Sequence, residues 1–217
     1  MKKVIVVGGS GLIGSHLIQS LLREDRIEEV VALVRKPLDL IHAKLKQQIV
    51  SFDDPNTFSE LINGDAVMCC LGTTKSKTPN LKDYKKIDYD YPLLIAKIAS
   101  DHFVPQFHLI SSLGADSQSV MFYTKTKGKL EDRIKALKFR SLHIYQPSLL
   151  DGDRKEARPT EKIAIGVMRL INPILLGPLK NYRSIKVETI ANAMVIQTLK
   201  NLEGTFTYPS DKIKELI

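Results

Sequence analysis

The sequence predicts an α/β fold of Rossmann type, a doubly wound parallel sheet with a small C-terminal substrate cap. Three observations predict it. Short continuous apolar runs alternate with stretches of helical periodicity over the first 150 residues; a glycine-rich turn separates the first run from the first helical stretch; and hydrophobic residues make up 43% of the 217. Apolar runs of this length suit parallel strands buried on both faces, and strands alternating with helices build βαβ units.

Lys3 to Val7 is the first such run, and beyond the glycines Ile13, Leu17 and Leu21 recur at helical spacing. Val30 to Val34 is the second strand, Gln48 to Phe52 a weaker third and Ala66 to Leu71 a fourth. Tyr84 to Ser100 reads as one long amphipathic helix on Ile87, Tyr91, Leu94, Ile95 and Ile98. Phe107 to Ile110 is a fifth strand, Phe122 to Leu137 a helix and Ser141 to Tyr145 a sixth strand. Past Pro147 the rhythm breaks: Asp151 to Thr160 is a charged loop, and Ile163, Val167, Leu170 and Ile171 suggest a helix halted at Asn172-Pro173. Ile174, Leu175, Leu176 and Leu179 follow, then a helix over Val187 to Leu199 and a short strand over Thr205 to Tyr208. With no repeat and no long linker, the expectation is one domain over 1–217, with about 151–190 forming the cap.

Composition narrows the function. Cys69 and Cys70, the two cysteines, are adjacent in an apolar run, which suits neither a disulfide framework nor a CxxC redox pair. No two of the five histidines stand at zinc-ligand spacing, so no metal is expected. The net charge of +8 permits a phosphorylated ligand, but aromatic residues are only 6% and no recognition motif accompanies the charge, so no nucleic acid is expected. Lys75, Lys77, Lys82, Lys85 and Lys86, the densest basic group, read as a solvated surface. No run approaches the roughly 20 apolar residues that span a bilayer, and the apolar stretch after the basic start is too short for a signal peptide. The expectation is a soluble cytoplasmic protein, monomer or homodimer.

Gly8-Gly9-Ser10-Gly11-Leu12-Ile13-Gly14 lies directly between the first strand and the first helix. Glycines there permit a tight turn and close approach to a pyrophosphate, which the free amides of the helix N-terminus can hold. At the end of the second strand an NAD site normally offers an acid, roughly 20 residues past the glycines, to the ribose 2′-hydroxyl. This chain instead offers Arg35 and Lys36, Arg35 lying 21 residues beyond Gly14. A guanidinium can hold a 2′-phosphate bidentately, so NADP(H) is expected in preference to NAD(H).

Ser111 and Ser112 follow the fifth strand, and Tyr123 and Lys127 stand four apart on the next helix, on one face. Beside a nicotinamide, Lys127 would lower the Tyr123 pKa so that the phenol can exchange a proton with a carbonyl or alcohol oxygen. Ser112 would hydrogen-bond that oxygen. Ser111 stays open as the alternative, because adjacent strand residues face opposite ways.

CCLGTT (69–74), SSLGAD (111–116), YTKTKGKLE (123–131) and DRKEARP (153–159), together with the glycine loop and Val34-Arg35-Lys36, resemble the short-chain dehydrogenase/reductase superfamily. The specific resemblance is to its atypical, Tat-interacting-protein-like oxidoreductases. It implies an NADP(H) site in which Gly8, Ser10, Gly11, Leu12, Ile13 and Gly14 meet the pyrophosphate and Arg35 and Lys36 the 2′-phosphate. Leu71 and Gly72 line the adenine ribose side, Lys127 holds the nicotinamide ribose, and Leu150 touches the nicotinamide end. Ser112, Tyr123 and Lys127 are the implied catalytic set. The Ser112–Tyr123 separation of 11 is shorter than most of the superfamily uses, and no residue matches the additional Asn of many members' proton relay. Two functions are carried forward: an NADPH-dependent oxidoreductase acting on a small-molecule carbonyl or alcohol, and an NADP(H)-binding redox-sensing regulator with little turnover.

Overall fold

The structure, a computed structural model, describes residues 1–152 and 177–217. β1 (Lys2–Val7) buries Val4 to Val7 completely, as a strand covered on both faces must. α1 (Leu12–Arg23) starts straight from the glycine turn and buries Ile13, Leu17, Ile18, Leu21 and Leu22 along one stripe. β2 (Ile27–Val34), β3 (Leu45–Ile49) and β4 (Ala66–Cys69) follow. Next come α2 (Leu81–Lys85), α3 (Tyr91–Asp101), β5 (Gln106–Ile110), α4 (Phe122–Lys135) and β6 (Ser141–Gln146). After β7 (Leu150–Asp151), the chain ends with β8 (Ile185–Lys186), α5 (Val187–Lys200), β9 (Gly204–Pro209) and α6 (Ser210–Glu215).

Seven strands form one parallel sheet in the order β3-β2-β1-β4-β5-β6-β9, and β7 pairs with β8 in a separate two-stranded ribbon. Alternate residues feed two cores. Val4, Val6, Ala66 and Met68 pack with α1 and α5 on one face. Ile5, Val7, Val67 and Cys69 pack with α3 and α4 on the other. The predicted doubly wound α/β class is therefore the fold observed. The helix expected over Ile163 to Ile171, Ile174 to Leu176, and most of the expected cap lie outside the described residues.

Several elements differ from expectation. The third strand is Leu45–Ile49, three residues earlier than Gln48 to Phe52. As an edge strand it needs little apolar surface, whereas Val50 and Phe52 leave the sheet for the core, where Phe52 meets the Phe58 ring at 5.6 Å. The helix expected over Tyr84 to Ser100 is α2 and α3 joined by a wide π-helical turn, Lys86–Asp90. Its start is fixed by Asn80, whose side-chain oxygen accepts from the Lys82 amide at 2.8 Å. The β7–β8 ribbon and α6 were not expected; two-residue strands and a one-turn helix carry too little periodicity to be read.

Candidate active site

The carboxyl ends of the central strands are level. Val7 of β1 stands opposite Leu33 and Cys69, Cys69 opposite Leu109, and Ile110 opposite Tyr145. The loops that begin at Gly8, Arg35, Cys70, Ser111 and Pro147 therefore share one edge. The chain winds outward from β1 to β3, then returns to lay β4 against the other side of β1. A crevice opens at such a reversal, above the strand ends.

The glycine turn is built by close approach. Gly8 adopts φ +84°, and a Cβ there would lie 2.7 Å from the Cys70 carbonyl. A Cβ on Gly14 would lie 2.2 Å from the Gly8 oxygen, so only glycine lets α1 approach β1 this closely. Gly11 caps α1 without any side-chain hydrogen bond, while Ser15 N–H returns to the Gly11 oxygen at 2.9 Å. The amides of Leu12, Ile13 and Gly14 thus point out of the helix start, together a site for an anion. The Ile13 side chain is in the core, so its contribution there is through its backbone. Ser10 is exposed beside them.

Arg35 and Lys36 emerge exposed at the end of β2, with no ion pair among the described residues. The loop that follows them is pinned by Gln47: its side chain accepts from the Leu38 amide at 2.7 Å and donates to the Leu40 carbonyl at 2.8 Å. Across the crevice β2 and β5 are separated by three strand spacings, about 14 Å. A dinucleotide is long enough to bridge that distance.

At the far end the two serines part company. Ser111 donates its hydroxyl to Glu131, a buried carboxylate that also accepts from Gln146 at 2.9 and 3.0 Å. The Ser112 hydroxyl is buried and has no partner among the described residues. Such a group normally finds one, so its orphaned state fits a ligand oxygen. Tyr123, in the first turn of α4, is 40% exposed, and its ring meets the Tyr84 ring edge-on at 6.4 Å. Lys127 is buried, and its Nζ lies 2.9 Å from Asp88. Gly72 borders both: a Cβ there would be 3.6 Å from the Asp88 oxygen and 3.8 Å from Lys127 Nζ. Leu71 lies half-buried next to it.

The short path from Ser112 to Tyr123 has a structural reason. A Cβ on Gly128 would fall 2.2 Å from the backbone of Asp116 and Ser117, so the intervening loop presses directly onto α4. The Asp116 amide donates to the Thr124 carbonyl at 3.1 Å and fastens it there. Leu150, half-buried in β7, packs on the α1 side of the core, and the following Gly152 comes within 3.4 Å, at its Cβ position, of Leu12. Asp88, Tyr84 and Glu131 were not read from the sequence. Asp88 carries no distinguishing signal in the sequence, standing between Lys85-Lys86 and Asp90 in a charged stretch.

Burial lowers the Lys127 pKa, but the charge of Asp88, then Tyr123 and the hydrogen bond that Lys127 donates to Asp88, outweigh it and hold the ammonium above the usual lysine value. The cysteines behave as buried hydrophobes: desolvation pushes the Cys69 thiol up to about 11 and Cys70 higher still. In the basic group, Lys85 pairs with Asp90 and Lys86 with Asp53. Among the described residues no helix is long and apolar enough to cross a membrane, and no cluster of His, Cys, Asp and Glu could hold a metal ion.

A parallel sheet with a glycine-built anion cradle at its reversal point defines a Rossmann-type dinucleotide-binding protein. Comparison with known proteins agrees. The profile of the NAD(P)H-binding family matches residues 8–163, and the chain belongs to that family. It is 32% identical over 167 residues to Protein HTATIP2 of Rattus norvegicus, covering 75% of this chain and 69% of the relative. To the mitochondrial protein fmp52 of Emericella nidulans it is 31% identical over 221 residues, covering 98% of this chain and 94% of the relative. The Tat-interacting-protein-like resemblance read from the motifs is thus borne out. Among solved structures, the Bordetella bronchiseptica enzyme WbmH in complex with NAD+ superposes with a TM-score of 0.69 at 18% identity, over 99% of this chain and 78% of that one. MoeE5 in complex with UDP-glucose and NAD gives 0.71 at 17% identity, over 95% and 75%.

Proposed function

We propose that this protein is an NADPH-dependent oxidoreductase that reduces a small-molecule carbonyl, or oxidises the corresponding alcohol. The observation that carries the reading is that the loop after β5 and the start of α4 supply a buried hydroxyl with no partner among the described residues (Ser112), an exposed phenol (Tyr123) and a buried charged lysine (Lys127). A protein that only binds a dinucleotide has no use for that set.

The cofactor's own chemistry is hydride donation to the carbonyl carbon. The amides of Leu12 and Ile13, with Ser10 and Gly11, hold the pyrophosphate at the positive end of α1. Arg35 and Lys36 hold the 2′-phosphate, which gives the preference for NADP(H) over NAD(H). Leu71 would line the adenine ribose side, Lys127 would bind the nicotinamide ribose with Gly72 beside it rather than on the adenine side, and Leu150 would touch the nicotinamide end. Ser112 donates a hydrogen bond to the carbonyl oxygen, and Tyr123 gives that oxygen its proton as the carbon is reduced. The phenolate left behind recovers a proton from solvent, to which Tyr123 is open.

The test is NADPH consumption against a panel of aldehydes, ketones and quinones, with wild type beside Tyr123→Phe. Turnover that disappears with the phenol while cofactor affinity stays supports the reading. Tight NADPH binding without turnover on any panel member overturns it in favour of a cofactor-sensing regulator.

A further inference from the structure

Two pairs of residues, each spaced by four, meet beneath the crevice. Tyr84 and Asp88 come from α2 and the wide turn after it; Tyr123 and Lys127 come from the first turns of α4. Ring faces ring at 6.4 Å and carboxylate faces ammonium at 2.9 Å. The first pair also grips the loop above it. Tyr84 donates its hydroxyl to the Thr73 carbonyl at 3.4 Å, and the second Asp88 oxygen accepts from the Thr73 amide at 2.7 Å. Asp88 is 1% exposed, so its orientation is set by protein contacts alone.

A buried ion pair is poor support for a fold, because desolvating two charges can cost more than their attraction returns. Wide π-helical turns such as the one that carries Asp88 are frequent at functional sites. We propose that Asp88 is a positioning residue of the oxidoreductase site: its carboxylate fixes the Lys127 ammonium beside Tyr123 and keeps it charged. The assignment rests on the proposed function for its purpose, but not for its geometry.

The need for such a partner follows from burial. An ammonium without water tends to release its proton, and a neutral amine would no longer put a positive charge beside Tyr123. The groups that face Lys127 and Asp88 are the Tyr123 phenol on α4, the Cys69 thiol on β4 and the Tyr84 phenol on α2. Burial pushes the Cys69 thiol up to about 11 and raises the Tyr84 phenol as well, so both stay neutral at working pH. Asp88 is then the standing negative charge that opposes the burial of Lys127. An asparagine there could still hydrogen-bond the ammonium but could not compensate its charge.

The experiment is a pH titration of the lysine ammonium groups by NMR on lysine-labelled protein, the Lys127 signal being identified by its loss in Lys127→Arg. In wild type, Lys127 stays protonated at least as far as the exposed lysines do. In Asp88→Asn its midpoint falls by about two units, within the range that loss of one adjacent opposite charge produces, and Asp88→Glu restores it. On a substrate found with the carbonyl panel, the alkaline limb of the Asp88→Asn pH–rate profile falls to the same midpoint, and the limb of Asp88→Glu does not. A midpoint unmoved in Asp88→Asn overturns the proposal. Should Asp88→Asn fail to fold, a wild-type Lys127 that titrates below the exposed lysines overturns it equally. The titration needs no turnover, so an inactive wild type would sink the oxidoreductase reading while leaving this one to its own result.

Discussion

Glu131 stands four residues beyond Lys127 on α4 and takes the Ser111 hydroxyl as a hydrogen-bond donor. Tyr123, Lys127, Glu131 and Lys135 thus recur at one helical spacing, with Lys135 in turn 3.6 Å from Glu131. The contact fixes the first residue after β5. Ser112, the next residue, faces the opposite way in extended chain, and its buried hydroxyl has no partner among the described residues.

The two serines should therefore respond differently to mutation. Ser112→Ala is expected to lower kcat by roughly 100- to 1000-fold, the usual loss for one donor to a developing oxyanion, with NADPH affinity nearly unchanged. Ser111→Ala leaves Glu131 one donor short and should cost about 1–3 kcal/mol of stability, with a smaller effect on kcat. Steady-state kinetics beside urea unfolding separates the two, and a larger kcat loss in Ser111→Ala would reverse the assignment.

Arg35 is exposed and unpaired among the described residues, on a loop that Gln47 holds in place. Arg35→Ala is expected to weaken NADPH binding by roughly 10- to 100-fold, in line with loss of a charged hydrogen bond, and NADH binding little. Fluorescence titration with both cofactors measures it. Equal losses would remove the 2′-phosphate from this site.

Most of the sheet was legible because Val4 to Val7, Val30 to Val34 and Phe107 to Ile110 are buried on both faces and leave little choice of structure. The glycine loop was legible because only glycine tolerates the contacts at Gly8 and Gly14. What escaped depends on distant partners. Lys46, Gln47 and Gln48 of β3 form an edge, where apolar pattern is not demanded, so the reading drifted toward Val50 and Phe52. Asp88 has meaning only once α4 brings Lys127 to it, 39 residues away in sequence. The Ser111 hydroxyl is likewise taken up by a partner 20 residues along the chain, Glu131, which Gln146 also holds.

Gly14→Ala tests the cradle itself. The added methyl would sit 2.2 Å from the Gly8 oxygen, a distance backbone cannot accept, so α1 must move away from β1. Overpacking of this kind costs about 1–3 kcal/mol, and the displaced amides should lose the pyrophosphate. The expected result is a lower Tm together with loss of NADPH binding in calorimetry. Retained affinity would mean that the α1 amides are not what holds the cofactor.

Acid should destabilise the protein through two buried histidines on the neighbouring strands β5 and β6. His108 and His143 stack at 4.5 Å between ring centroids, both fully buried. His108 hydrogen-bonds the Tyr145 hydroxyl at 3.2 Å, and His143 hydrogen-bonds Tyr208 at 3.1 Å and Ser141 at 2.9 Å. Burial holds both rings neutral, lowering His143 to about 4 and His108 well below the usual histidine value of 6.5. The unfolded chain then binds more protons than the native one between those two limits. Stability is full above pH 6.5 and declines as pH falls toward 4, by about 1.4 kcal/mol per unit for each histidine. Glu29, held low by the hydrogen bond it accepts from Lys46, contributes only below its ordinary value of 4.5, so it does not add to the decline above that pH. Urea unfolding at half-unit steps from pH 7.5 to 4.5 should show a falling midpoint. His143→Phe, which keeps a ring beside Phe206 but cannot take a proton, should flatten the slope. A wild-type midpoint that stays level from pH 6.5 to 5 would mean that the stacked pair is not held neutral.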